Sequence, residues 1–190
     1  MSPSLPRIVT LQLPVPWEAL GFDQAPGFGP TTAVHGDGPA WAWRAGTPRF
    51  PVARCHATEG DPVDGWTTDH VVLLAPDLEE ATATLSDVGA EPRLRMDVRG
   101  RPTAFFRVGP VLEVIESPVR AAAVFGVALA TEEPLEVVAL RWRGAGFEVT
   151  DPTPAMQPGR RIMTVHGLDA GLAIMSLDRQ GGPPQTPKIN

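Results

Sequence analysis

Two stretches of the chain decide its fold: DHVVLL at residues 69–74 and FGVALA at residues 125–130. Both are short, apolar and rich in small or β-branched residues, which is typical of a buried β-strand. When the two stretches are aligned, two later pairs of residues also coincide within one position. These are Leu78-Glu79 with Leu135-Glu136, and Val88-Gly89 with Ala145-Gly146. The sequence therefore contains an internal repeat, and each copy begins with a strand.

An amphipathic helix is predicted between the anchors of each copy. Apolar residues follow one another at intervals of three, four and three, which places them on one helical face. They are Leu78, Ala81, Leu85 and Val88 in the first copy, and Leu135, Val138, Trp142 and Ala145 in the second. Asp77 suits a side-chain cap and Pro134 suits a first helical turn. Gly89 and Gly146 suit the left-handed position that ends a helix.

Each predicted helix is followed by further strand-like segments. They cover residues 93–98, 104–108 and 111–116 in the first copy, and residues 147–150, 161–165 and 172–177 in the second. Each copy therefore reads as a strand, a helix and two or three more strands. This order predicts an α+β fold built from two similar modules.

Three segments carry a family resemblance: TDHVVLLAPDLEEA (68–81), FFRVGPVLEVIE (105–116) and FGVALATEEPLEVVALRWRGAGFEV (125–149). They resemble the vicinal-oxygen-chelate (VOC) superfamily, which includes glyoxalase I, extradiol dioxygenases and bleomycin-resistance proteins. The resemblance implies one glyoxalase-like domain over residues 66–178. Its two βαβββ modules, residues 66–118 and 123–178, would pair into a cupped mixed sheet that holds a small molecule.

Residues 1–65 are interpreted as an N-terminal extension. Its predicted elements are strands at Arg7–Leu13, Thr31–His35 and Ala40–Arg44 and a helical turn at Trp17–Phe22, with an Asp37-Gly38 turn between the last two strands. This order suggests a degenerate βαβββ module that caps an edge of the main sheet or forms a second, shallower cup. Residues 179–190 are expected to be a flexible tail.

The resemblance also implies positions for metal ligands, one on the first and one on the last strand of each module. His70 and Glu113 match these positions in the first module, and their side chains suit Zn, Ni, Mn or Fe. Gly126 and Met175 match them in the second module. Two ligands are too few for a tight site, so no metal cofactor is expected. The alternative is a divalent metal held by His70 and Glu113.

A ligand site is predicted on the face of the sheet that carries His70. Alternation along the strands places Gly126, Ala128 and Ala130 on one face, and Ala173, Met175 and Leu177 on another strand's equivalent face, as a roomy apolar wall. The predicted ligand-binding residues are His70, Val72, Leu74, Glu113, Gly126, Ala128 and Met175. Ordinary core packing is the alternative for the wall, and a hydrogen-bonded pair is the alternative for His70 and Glu113.

Composition narrows the class of function. The formal net charge of −6 gives no basic field for nucleic acid, and the single cysteine cannot form an internal disulfide. With no apolar run of membrane-spanning length, the expectation is a cytoplasmic protein, a monomer or a homodimer, with a small-molecule partner. Arg93, Arg95, Arg99 and Arg101 form a local cluster that could bind an anion or simply face solvent.

Two functional classes remain open. The first is a binding protein of the sequestering or resistance type, which holds a small molecule without changing it. The second is an enzyme of the lyase, isomerase or dioxygenase kind. In that case His70 and Glu113 would be the catalytic residues, as metal ligands or as an acid–base pair.

Overall fold

The computed structural model describes residues 4–177, and the tail predicted at residues 179–190 lies outside them. The N-terminal strands are β1 (Arg7–Leu13), β2 (Gly27–Phe28), β3 (Thr31–His35), β4 (Ala40–Arg44) and β5 (Ala53–Arg54). The first repeat contains β6 (Trp66–Ala75), α1 (Leu78–Ser86), β7 (Pro92–Val98), β8 (Arg101–Arg107) and β9 (Val111–Glu116). The second contains β10 (Ala123–Thr131), α2 (Leu135–Gly144), β11 (Glu148–Val149), β12 (Thr153–Pro154), β13 (Arg161–His166) and β14 (Gly171–Ser176).

The two repeats share one nine-stranded sheet. Its order is β11-β13-β14-β10-β6-β9-β8-β7, and β12 pairs with β13 beside this path. In each repeat the first strand pairs in parallel with the last, β6 with β9 and β10 with β14. The two first strands pair antiparallel at the centre, which relates the repeats by a pseudo-twofold axis. The α+β class and the paired βαβββ modules are therefore confirmed.

The helices follow most of the predicted signals, although Pro134 is the N-cap of α2 and does not lie in its first turn. The Asp77 side chain caps α1 by accepting a hydrogen bond from the Glu80 N–H at 2.8 Å, and Gly89 and Gly146 have φ values of 86° and 93°. Three of the four predicted apolar positions are buried in each helix. The fourth positions, Val88 and Ala145, are not buried, because each helix ends before it reaches them.

The extension forms a sheet of its own, with the order β2-β3-β1-β4-β5. Its strands Arg7–Leu13, Thr31–His35 and Ala40–Arg44 have the predicted bounds. However, β3 and β4 do not form a hairpin around Asp37-Gly38, because β1 lies between them, parallel to β3 and antiparallel to β4. β1 lies at the centre of this sheet and buries Ile8, Leu11 and Leu13. The order also differs from that of the two modules.

The extension packs on the face of the main sheet that carries α2. Trp17, Phe22, Phe28, Trp66 and Trp142 form one aromatic cluster, in which Trp66 stacks on Trp142 at 6.0 Å. The indole N–H of Trp142 donates to the Leu20 carbonyl at 2.9 Å. The Thr68 hydroxyl donates to the Phe28 carbonyl at 2.8 Å. The extension therefore completes the core on one side of the sheet and leaves the opposite face, the cup face, uncovered by it.

Neither helix within residues 4–177 has the length and apolar character needed to cross a membrane.

Gly126 allows two strands to approach closely. A Cβ at this position would lie 1.9 Å from the Gly171 carbonyl oxygen, so β10 and β14 meet there backbone to backbone. The expectation that Gly126 adds open space to the cup is therefore wrong, because that space is filled by the neighbouring strand. The absent side chain serves strand packing.

We predict that Gly126→Ala destabilises the protein by about 1–3 kcal/mol or more, because the Gly171 backbone must move to admit a methyl group. The matched control is Gly144→Ala at the end of α2, where a Cβ meets nothing within 4 Å. That variant should be neutral or stabilising by up to about 1 kcal/mol. Urea unfolding of both variants measures the difference. Equal stabilities would show that the two strands separate easily.

Candidate functional site

A β-bulge in β6 turns two neighbouring ionisable side chains toward one another. Ala128 of β10 pairs with His70, whereas the next residue, Leu129, pairs with Thr68, so Asp69 is an extra residue in β6. Successive side chains of a regular strand point to opposite faces, but a bulge re-aims them. Asp69 Oδ2 consequently lies 2.8 Å from His70 Nδ1.

Glu113 reaches the other nitrogen of the same ring. β9 lies beside β6, with Glu113 level with Val72. Glu113 Oε2 is 3.3 Å from His70 Nε2, and the side chains of His70 and Glu113 are only 17% and 13% exposed. The structure therefore brings together the two residues that the sequence singled out, as an imidazole–carboxylate pair.

Arg160, in the loop between β12 and β13, extends this arrangement into the second module. Its Nη2 lies 2.7 Å from Asp69 Oδ1, and its Nε donates to the Ser176 carbonyl at 2.8 Å. Its side chain is 8% exposed. Arg160, Asp69, His70 and Glu113 therefore form one polar chain that joins both modules; we call it the polar tetrad. Asp69 and Arg160 were not predicted as site residues. The visible signal in the sequence was that Asp69 and His70 are neighbours. In a regular strand their side chains would point to opposite faces, so only a bulge lets them contact each other.

The two carboxyl groups of the polar tetrad are shifted in opposite directions. Burial pushes the pKa of Asp69 upward, but hydrogen bonds and charges from His70 and Arg160 outweigh it, so the pKa lies below its usual value. Burial raises the pKa of Glu113; the His70 charge opposes this rise and the Asp69 charge adds to it. The surroundings thus favour the anionic form of Asp69 and disfavour that of Glu113.

An open cavity of about 570 Å³ lies on the cup face beside His70. Its walls come from β6, β10, β13 and β14 and from the hairpin that joins β13 to β14. Among the predicted ligand-binding residues, those that line it are His70, Val72, Leu74 and Ala128. Glu113, Gly126 and Met175 are outside its lining: Glu113 lies behind His70, Gly126 faces Gly171, and Met175 is 1% exposed.

Sequence reasoning missed Phe125 as a wall of this cavity. A second bulge, between Val124 and Gly126, makes Phe125 the extra residue of β10. Its ring lies where a side chain at Gly171 would be, and it is 53% exposed. His166, which was not predicted as a site residue, also lines the cavity. An exposed aromatic ring beside a glycine pair was not recognisable without the strand register.

The donor set does not fit the metal centre that the family resemblance implies. Only His70 and Glu113 of the four implied positions carry a ligand side chain, and the cation that approaches the neighbouring Asp69 is the Arg160 guanidinium. Within residues 4–177, no three His, Cys, Asp or Glu side chains gather where they could share a metal ion. Gly126 and Met175 supply no hard ligand from the second module.

The arginine cluster suggested by the sequence is dispersed in the structure. Arg95 forms an ion pair with Glu79 of α1, whereas Arg101 donates to the Ser117 hydroxyl at 2.9 Å. Arg99 lies at the turn between β7 and β8, with a φ of 54°. None of the four arginines lines the cavity.

Comparison with solved structures finds the same architecture at low sequence identity. A hypothetical protein from Bacillus halodurans C-125 has a TM-score of 0.52 and 13% identity, over 63% of this chain and 99% of its own. Methylmalonyl-CoA epimerase from Mycobacterium tuberculosis has a TM-score of 0.49 and 16% identity, over 57% of this chain and 86% of its own. Methylmalonyl-CoA epimerase from Streptomyces coelicolor has a TM-score of 0.48 and 17% identity, over 61% and 97%. No protein-family profile and no curated protein matches the sequence.

The strand order and the similarity to the Bacillus halodurans protein agree on the fold. The chain has the VOC, or glyoxalase-like, fold, with two βαβββ modules around a cup and a separate N-terminal sheet.

We predict that protein purified without an affinity tag contains no stoichiometric Zn, Ni, Mn or Fe, because only His70 and Glu113 of the four implied ligand positions carry a suitable side chain. Elemental analysis by mass spectrometry measures the content, with His70→Ala as the comparison. Near-equimolar metal in the wild type that disappears in His70→Ala would contradict this.

The raised pKa of Glu113 predicts a pH dependence of stability. Folding disfavours the charged carboxylate, so this group lowers the free energy of unfolding as the pH rises through the folded-state pKa. Glu113→Gln should remove that loss, and its stability relative to wild type should improve from acidic to neutral pH. Urea unfolding at several pH values measures this, with the exposed Glu59→Gln as control. A relative stability that worsens toward neutral pH would reverse the assignment.

Proposed function

We propose that the protein binds a small, partly apolar molecule in the cup cavity, as a sequestering or resistance-type protein. The observation that carries this proposal is the cavity itself. Its volume of about 570 Å³ falls within the roughly 300–1,000 Å³ of small-molecule sites. Sites of this kind combine a mostly apolar lining with a few fixed polar groups.

The distribution of side chains supports an amphipathic ligand. Val72, Leu74 and Ala128 line the cavity with aliphatic groups, and Ala173 extends this wall on β14. His70 is the point at which the polar tetrad meets the cavity. A ligand would therefore bury its apolar part against the strands and direct a polar group toward the imidazole.

Phe125 gives the cavity a surface for a planar group. Its ring is half-exposed at the wall, although most large apolar side chains of the sheet are buried. An exposed aromatic ring beside a cavity provides stacking area at a low entropy cost. An aromatic or conjugated ligand is therefore the chemical class favoured here.

A second candidate function is acid–base catalysis, as in a lyase or isomerase. The observation in its favour is the polar tetrad, where His70 is placed between an ionised Asp69 and a Glu113 with a raised pKa. Shifted carboxyl groups around a histidine beside a cavity are the arrangement used for proton transfer. Chromatography and mass spectrometry of a bound compound after prolonged incubation separate the two. Unchanged compound supports binding alone, and a new product that is not formed by His70→Gln supports catalysis.

We predict that Phe125→Ala weakens binding of aromatic compounds found by a thermal-shift screen. Loss of one ring contact of about 0.5–1.5 kcal/mol corresponds to a roughly 2- to 10-fold rise in Kd. The control is Leu140→Ala on α2, which removes another exposed apolar side chain, 74% exposed and outside the cavity lining. Isothermal titration calorimetry measures both variants. Equal affinities of Phe125→Ala and wild type would place the binding site elsewhere.

A further inference from the structure

The two oxygens of the Asp69 carboxylate have different partners. Oδ1 lies 2.7 Å from Arg160 Nη2, and Oδ2 lies 2.8 Å from His70 Nδ1. A guanidinium can only donate hydrogen bonds. Oδ1 therefore accepts a hydrogen bond from Arg160, and Oδ2 remains as the partner of His70. Because Asp69 is ionised, its Oδ2 is also an acceptor, so the proton of this hydrogen bond belongs to Nδ1.

We infer that Asp69 and Arg160 are positioning residues that hold His70 as the tautomer with its proton on Nδ1. The unprotonated nitrogen of the neutral ring is then Nε2, which lies 3.3 Å from Glu113. The ring nitrogen with a free lone pair thus faces the Glu113 carboxyl group. The groups follow one another in the order guanidinium, carboxylate, imidazole and second carboxyl group. This order determines which ring nitrogen carries the proton.

The position of Arg160 explains why its guanidinium cannot easily turn away. Its Nε donates to the Ser176 carbonyl at the end of β14, while its Nη2 faces Asp69 on β6. The residue is buried and spans two modules. It therefore fixes Asp69 from the side opposite to His70, as an outer partner often fixes a functional histidine.

This inference deepens the proposed function. It rests on that function only in assuming that a ligand lies beside His70. Nε2 then accepts a hydrogen bond from an acidic O–H, N–H or C–H group of that ligand, and the ligand replaces Glu113 as the partner of this nitrogen. Compounds that carry such a donor next to an aromatic or aliphatic body are the class that the site would take. The tautomer itself is measured on ligand-free protein, so its outcome is independent of whether a ligand is found.

The test is the ¹⁵N spectrum of the histidine ring nitrogens, recorded at a pH at which the rings are neutral. His70→Gln identifies the His70 signals among those of the protein's four histidines. The expected result is a protonated Nδ1 and an unprotonated Nε2. A neutral ring protonated on Nε2, a mixture of the two tautomers, or a ring doubly protonated throughout the pH range of the folded protein would overturn the inference.

Asp69→Asn provides a sharper readout, because it should invert the tautomer. Arg160 still requires an acceptor, so the carbonyl of the introduced amide must face Arg160 and its NH₂ group must face His70 Nδ1. The ring proton then moves to Nε2. Adding Arg160→Met should release the introduced amide and restore the Nδ1 proton, at least in part. Arg160→Lys, which keeps a donor at Asp69, should leave the wild-type tautomer unchanged.

The matched control is Asp151→Asn, since Asp151 forms a similar 2.8 Å ion pair with Arg143 but has no histidine beside it. It should leave the His70 signals in place. Circular dichroism establishes that each variant is folded before its spectrum is interpreted. If Asp69→Asn does not fold, the wild-type tautomer and Arg160→Lys decide the question. An Asp69→Asn protein that folds and keeps its proton on Nδ1 would show that Arg160 does not orient residue 69.

Discussion

The antiparallel pairing of β6 with β10 is the contact on which both the fold and the site depend. It joins the two modules at their pseudo-twofold axis, and it contains one bulge on each strand. The bulge on β6 makes Asp69 an extra residue, and the bulge on β10 does the same for Phe125. Each bulge turns a side chain that a regular ladder would place elsewhere toward the cup face. The two irregularities of this ladder thus supply one polar and one aromatic element of the site.

The strands that flank β6 and β10 determine which residues lie beside the two bulges. β14 approaches β10 so closely at Gly126 that the backbones touch, and the Phe125 ring covers Gly171 on the same strand. β9 brings Glu113 to the opposite side of β6, within reach of His70. The site is therefore built on strands fixed by the sheet core on either side. This rigidity favours a site that selects its ligand by shape over one that closes around it.

The sequence was most informative where a pattern repeats. The shared three-four-three spacing and the paired glycines predicted both modules, and the two ligand positions implied in the first module, His70 and Glu113, lie 3.3 Å apart. The bulges could not be predicted, because a bulge depends on the register between two strands and leaves no fixed motif. Arg160 was missed for the same reason, since its partner lies in the other module. Gly126 was predicted to add open space to the cup. A glycine can indicate either open space or close contact between strands, and the position of the neighbouring strand decides between them.

Arg160 also gives a physical reason why His70 and Glu113 are placed together without the other two ligands that the family resemblance implies. A guanidinium neutralises Asp69 as a permanent cation, and it cannot be displaced by a substrate or lost to a chelator. Unlike a divalent metal, it has no open coordination position and cannot polarise a bound oxygen as a Lewis acid. It can only orient the carboxylate that it contacts. His70 is the member of the polar tetrad that lines the cavity, and the orientation of its ring depends on how firmly Arg160 and Asp69 hold it.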